Sequence, residues 1–181
     1  MRKILLLLLF LTVSVWADDL KGKPDKSAPA GWLRYSFGSR PALSITMPGK
    51  PKKQTLGAAT GIKSINLYVS SKGTVVTLIE SIEFSTSAET PGFRQNFFPE
   101  AFSSFKSSYE KTSGMKLKVS GRKPVQFGKM TGFEMNYDNP KVLGRVRLVL
   151  QDKRGFLMSA FVPKNSARLL DQFVQSAQLI P

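Results

Sequence analysis

The chain has 181 residues, with 27 Lys and Arg against 12 Asp and Glu, and contains neither His nor Cys. Disulfides, thiolate nucleophiles, His-based proton relays and His/Cys zinc sites are thereby excluded. The length suits one domain with a tail, and a formal net charge of +15 points to anionic surroundings.

Residues 1–17 carry a basic start (Met1-Arg2-Lys3), an apolar run from Ile4 to Val13 broken only by Thr12, and a small-residue end with Val15 and Ala17 at the −3 and −1 positions. This is the layout of a cleavable export signal. The alternative, a retained membrane anchor, is disfavoured because the run falls short of the ~20 residues that cross a bilayer. No Cys follows the cleavage point, so lipidation there is excluded. The expected mature chain starts at Asp18 and lies outside the cytoplasm, secreted or periplasmic. It keeps 25 positive against 12 negative residues, a net +13.

Residues 18–31 (DDLKGKPDKSAPAG) hold Leu20 as their one bulky apolar side chain. Such a segment buries too little to offset its ordering entropy, and the expectation is a flexible leader. Residues 32–181 form the expected domain. Residues 32–37 and 42–47 are β-rich and flank the turn chemistry of Gly38-Ser39-Arg40-Pro41, which predicts a hairpin. A Lys-rich loop is expected through Thr60. Residues 62–69 and 74–84 follow as strands, with Ile65, Leu67 and Val69 alternating against Ser64, Asn66 and Tyr68.

Phe93, Phe97, Phe98, Ala101, Phe102, Phe105 and Tyr109 recur at helical spacing. Thr90-Pro91 is the expected N-cap and first-turn pair, and Ser113-Gly114 the stop. Pro99 conflicts with the pattern and predicts a kink or restart, because its ring collides with the carbonyl one turn back. The aromatic stripe is expected to be a core face rather than a ligand platform. Strands are predicted at 116–119, 125–127, 132–137, 144–151 and 156–162. A last helix capped by Asn165 buries Ala167, Leu170, Phe173, Val174 and Ala177. Short links between neighbouring strands predict antiparallel pairing, and the fold class expected is α+β, an antiparallel β-sheet flanked by helices.

The aromatic opening hairpin running into Ser44-Ile45-Thr46-Met47-Pro48-Gly49-Lys50-Pro51 carries a resemblance. It continues through Gly132-Phe133-Glu134, Gly144-Arg145-Val146-Arg147-Leu148, the Phe156-Leu157-Met158-Ser159-Ala160 run and the C-terminal helix with Phe173 and Ser176. Together these resemble small secreted bacterial proteins of the PsbP-like superfamily. Its relatives include an extrinsic photosystem II subunit, a nuclear Ran-binding factor and DcrB-like proteins. The resemblance implies a PsbP-like α/β/α sandwich used for binding or assembly. It implies no catalytic constellation, and no metal ligand carries over, since the sequence has no His and no tight acidic cluster.

Carboxylates are the remaining acid–base groups. Glu80 and Glu83 have opposite strand parity and face opposite sides. Glu134 and Asp138 share parity but stand ~13 Å apart along a strand, beyond the ~9.5 Å upper limit of a glycosidase pair. All are expected at the surface, in salt bridges or solvent. No catalytic, cofactor or metal-binding residue is assigned. The candidate anion-binding residues are Lys116, Lys118, Arg122, Lys123, Arg145 and Arg147, which merge into one patch where their strands lie close; the alternative is a solvated surface that keeps the protein soluble and its sheet edges unpaired. The expected function is a non-enzymatic binding or accessory protein outside the cytoplasm. Its expected partner is an envelope protein or an anionic envelope component, peripheral membrane contact included. Nucleic-acid binding is the alternative, against which stand the export signal and the absence of an RNP-like Gly-aromatic run. A carboxylate-based hydrolase stands further back.

Overall fold

The computed structural model describes residues 20–39, 41–57, 60–90 and 92–180. The expected export signal, the mature start at Asp18, and Arg40 and Pro91 of the expected turn and helix start lie outside these. The elements run in the order β1 (Lys23–Pro24), β2 (Leu33–Phe37), β3 (Ala42–Met47), β4 (Lys52–Leu56), β5 (Ile62–Lys72) and β6 (Val75–Phe84). Then come α1 (Phe93–Ser113), β7 (Lys118–Phe127), β8 (Met130–Asp138), β9 (Val142–Gln151), β10 (Arg154–Pro163), α2 (Arg168–Gln175) and β11 (Gln178–Ile180).

Seven strands form one antiparallel sheet in the order β4-β5-β6-β10-β9-β8-β7. Alternating apolar side chains and tight turns drive its hairpins, in which Gly73 and Gly128 adopt positive φ. The chain climbs β4-β5-β6, crosses over through α1 to the far edge, and returns through β7-β8-β9 so that β10 closes on β6. A second antiparallel sheet, β1-β2-β3-β11, contains the opening hairpin.

Helix α1 covers one face of the large sheet. Phe97, Phe98, Ala101, Phe102 and Phe105 are buried there against Leu67, Ile82, Leu148, Leu157 and Phe161. The aromatic stripe is thus a core face. Gly144 makes room for it: a Cβ at that position would collide with the ring of Phe161, which stacks on Tyr109 at 3.9 Å and on Phe105 at 6.0 Å. The helix runs through Pro99 without ending, and Pro99 is exposed. Gly114 stops it in the left-handed conformation, its N–H donating to the Glu110 carbonyl at 3.0 Å. The N-cap is Gly92 rather than Thr90, whose hydroxyl bonds the Ser87 carbonyl instead.

The opposite face corrects the expected architecture. A helix-flanked α/β/α sandwich is not what forms, because the described residues are mostly strand and hold only two α-helices. Helix α2 has eight residues, about 12 Å of helix, far too little to roof seven strands. The small sheet fills the remaining area: Tyr35, Phe37, Leu43, Ile45 and Met47 pack with Ile79, Val149, Phe156, Met158 and Val162. The cap of α2 is Ala167 rather than Asn165, a 3-10 turn over Lys164–Ser166 having intervened. Leu170, Phe173 and Ala177 are buried as expected, whereas Ala167 is exposed.

Further differences are local. The expected loop before Thr60 contains β4, paired with β5. Residues 116–119 and 125–127 are parts of one region rather than two strands, because β7 is continuous past a bulge between Val119 and Gly121. Within 18–31, expected as a flexible leader, β1 pairs with β2. Asp25 there accepts from Arg34 Nε at 2.7 Å, and Arg34 also donates to the Ser176 carbonyl at 2.8 Å.

Two carboxylates expected at the surface are buried. Glu80 is 0 % exposed in a row where Leu67 and Leu157 are its strand neighbours, and neither carboxylate oxygen has a hydrogen-bond partner among the described residues. Burial raises its pKa to about 7. The unfolded chain binds no proton there above pH ~4.5 while the folded chain keeps one. Glu80 therefore contributes stability below pH ~4.5 that is lost as pH rises through about 7. The loss is roughly 3 kcal/mol. Chemical denaturation from pH 5 to 8 is expected to show this decline in the native chain and to lose it in Glu80→Met. An unchanged slope in the variant would contradict the assignment.

Candidate functional site

The six candidate cations fall into three settings. Strand register places Lys123, Glu134 and Arg147 in one row across β7, β8 and β9, with Asn136 and Arg145 in the next. All face the side of the sheet that carries the small sheet and α2. The bulge in β7 shifts its phase by one residue, so Lys118 also faces this side, opposite Asp138. Arg122 faces the α1 side. Lys116 precedes β7 and lies 3.7 Å from Glu110 of α1.

Glu134 organises the first setting. It is 1 % exposed and takes two contacts from Arg147, 2.7 Å from Nη2 and 3.2 Å from Nε, with Lys123 Nζ at 3.1 Å and Arg145 Nε at 3.7 Å. Arg145 also donates to Asn136 at 3.1 Å and to Asp171 of α2 at 2.6 Å. Burial pushes the Glu134 carboxyl up, but the hydrogen bonds from Arg147 and Lys123 outweigh it and hold the group below the usual range. Three cations thus share Glu134 and Asp171, and the cluster retains one net positive charge. The arginines are largely sheltered, at 15 % and 22 % side-chain exposure for Arg147 and Arg145. Their contacts link β9 to β8 and α2, and Lys123 links β7 to the same carboxylate.

The outward charge lies on β7 and its flanks. Lys116, Lys118, Arg122 and Lys123 are all exposed. From Lys116 to Lys129 the chain carries five cations and no acid, and β7 is an edge of the large sheet.

The third setting is an open groove of ≈ 870 Å³ between the first turns of α1 and the β7–β8 edge. Phe98, Pro99, Pro124 and Phe133 supply apolar walls, and Arg94 and Arg122 stand at its margins. Arg94 donates to Glu89, to Thr131, to the Ala88 carbonyl at 3.2 Å and to the Leu150 carbonyl at 3.1 Å. Arg122 lies 4.0 Å above the Phe133 ring.

The two buried carboxylates cannot work as a catalytic pair. Glu80 pairs with Leu157, which pairs with Leu148, which pairs with Phe133. Glu134 is the next residue and therefore points to the opposite side of the sheet. Among the described residues no group of three or more acidic side chains gathers as a metal site, and no helix is long and apolar enough to cross a membrane.

The Glu134 cluster predicts a sign opposite to that of Glu80. Its carboxyl contributes stability above the unfolded value of 4.5 that is lost as pH falls through the depressed folded value. Arg147→Met leaves a buried carboxylate short of its main partner and is expected to cost about 3 kcal/mol in equilibrium denaturation at pH 7. A change below about 0.5 kcal/mol would show that the cluster does not hold the strands.

No protein-family profile matches the sequence, and no curated protein matches it. In structure the chain is similar to cyanobacterial PsbP (CyanoP) from Synechocystis sp. PCC 6803, with a TM-score of 0.54 at 11% identity, covering 88% of this chain and 98% of that one. A likeness at that identity establishes a PsbP-like fold.

Proposed function

We propose that this chain is a non-enzymatic accessory protein that works outside the cytoplasm and engages an anionic partner or surface through the β7 edge. The observation that carries the reading is the acid-free run from Lys116 to Lys129, displayed along an edge strand. Its ten strand residues span about 33 Å. A row of that length attracts an extended anionic surface without needing a pocket. The Glu134 cluster adds to it, because two carboxylates cannot neutralise Lys123, Arg145 and Arg147 together. The PsbP-like fold supports an accessory role, and the sequence resemblance to small secreted proteins of the PsbP-like superfamily supports placement outside the cytoplasm. Residues 1–17 serve as the export signal in this reading.

Two measurements test it. Mass spectrometry of the chain recovered from an exporting bacterial host is expected to give an N-terminus at Asp18, and a retained Met1 would contradict export by cleavage. In co-sedimentation with phosphatidylglycerol vesicles, and in titration with poly-glutamate, binding is expected at about 50 mM salt and release at about 500 mM. Replacing Lys116, Lys118, Arg122 and Lys123 together with Gln is expected to weaken both by more than about ten-fold. Binding that neither salt nor the replacement alters would overturn the reading. So would tighter, sequence-selective binding to duplex DNA.

A further inference from the structure

The geometry points to the groove between α1 and the β7–β8 edge as a docking site for an extended peptide segment of a partner protein, one that combines an acidic side chain with neighbouring apolar ones. This rests on the anion-binding reading of β7 and adds a defined site and ligand class to it.

Three features of the groove fix that chemistry. Arg122 is exposed, rests on the Phe133 ring, and has no carboxylate partner among the described residues. Stacking on Phe133 restrains the guanidinium, so less side-chain entropy is lost when an anion binds. The other arginine, Arg94, is ion-paired with Glu89 and also donates to Thr131 and two carbonyls, which leaves Arg122 as the groove's guanidinium without a carboxylate. One such group matches one carboxylate, whereas nucleic acid is tracked by a series of cations along its backbone. The walls beside Arg122 are apolar: Phe98 forms the floor, and Pro99 and Pro124 are exposed on either side. Apolar wall next to a lone guanidinium selects acidic and apolar groups in close succession. Finally, the Gln95 side-chain amide borders the groove without a partner among the described residues. An amide offers both a donor and an acceptor, which is what a peptide main chain pairs with. An aliphatic lipid tail uses neither, and the open form of the groove would leave such a tail half hydrated.

Pro99 and Pro124 also explain why the groove stays open. Pro99 cannot donate to the Gln95 carbonyl one turn back, and it places a rigid apolar ring on the outer surface of α1. Pro124 lacks the N–H that a further strand would use, so the β7 edge resists simple strand addition. A ligand is thus directed onto the walls rather than along the edge.

The test is selection of a random dodecapeptide phage library on the immobilised chain, with Arg122→Glu, Pro124→Asp and the remote Lys141→Glu as comparisons. Circular dichroism verifies folding of each variant. Enriched peptides are expected to place Asp or Glu beside Phe, Leu or Pro. A synthetic copy of the leading peptide should bind the native chain and Lys141→Glu alike. It should bind Arg122→Glu at least about ten-fold more weakly, the loss expected for one charge-assisted contact, and Pro124→Asp should weaken it too. Enrichment of acidic peptides without apolar residues, or equal binding by Arg122→Glu, would overturn the groove while poly-glutamate binding left the β7 reading standing. No peptide enrichment together with no poly-glutamate binding would overturn both. Arg122-dependent binding of oleate with no peptide enrichment would give the groove to a lipid and overturn the proposal.

Discussion

The pairing of β6 with β10 is the constraint on which the rest of the molecule depends. Every other neighbour in the large sheet is joined by a hairpin, so its register follows from local alternation and a turn. The β6–β10 ladder, from Arg154↔Glu83 to Phe161↔Val76, closes across the whole α1–β9 segment. Loop closure of that length carries an entropic cost that local hydrogen bonds do not offset. Burial on both faces supplies the difference: Leu157 and Phe161 point to α1, and Phe156, Met158 and Ala160 to the small sheet. Once β10 is seated between β6 and β9, β7 must be the far edge. Helix α1 must then cross the sheet to reach it, and the groove opens where the start of the helix meets that edge.

That topology also governs how the charge is spent. Of the cations on the small-sheet side, Arg145 and Arg147 are interior to the sheet and are matched to Glu134, Asn136 and Asp171. Matching is required there, since an unpaired guanidinium at such low exposure loses hydration without recompense. At the edge no such requirement exists, and Lys116, Lys118, Lys123 and Lys129 remain exposed to water. A cationic edge also resists pairing with a second sheet. The same strand thus protects the fold from edge-to-edge association and presents a surface to a partner.

Much of this was legible in residue patterns, and the failures have physical causes. Hairpins were readable because alternation and turn residues act within a few positions, as at Ile65-Leu67-Val69. The aromatic period of α1 outweighed Pro99, whose exposed position puts its disruption on the solvent side. Strand β4 is not legible because Lys52, Lys53, Gln54 and Thr55 carry no apolar alternation, and they are a strand only because β5 offers a free edge. The layer on the far face is not legible because patterning shows that a helix exists but not how much sheet it covers. The burial of Glu80 was invisible for a related reason: parity separated it from Glu83, yet nothing local says which face α1 roofs. Alternation alone puts Arg145 and Arg147 on one face, but only register identifies their partner Glu134 on the neighbouring strand.

The bulge at Val119–Gly121 shows how a single inserted residue distributes function. Without it, Lys118 and Arg122 would share a side by period-two alternation. With it, Lys118 joins Lys123 on the side of Glu134, while Arg122 alone among the six candidate cations turns toward the groove. The extra residue therefore separates one guanidinium from the collective field and places it on an aromatic ring beside apolar walls. A row of exposed lysines discriminates poorly among anions, because its attraction is long-ranged and screened. One oriented arginine in a shaped apolar setting discriminates by contact. The edge strand thus carries a steering element and a selecting element on opposite faces, held apart by the same backbone irregularity.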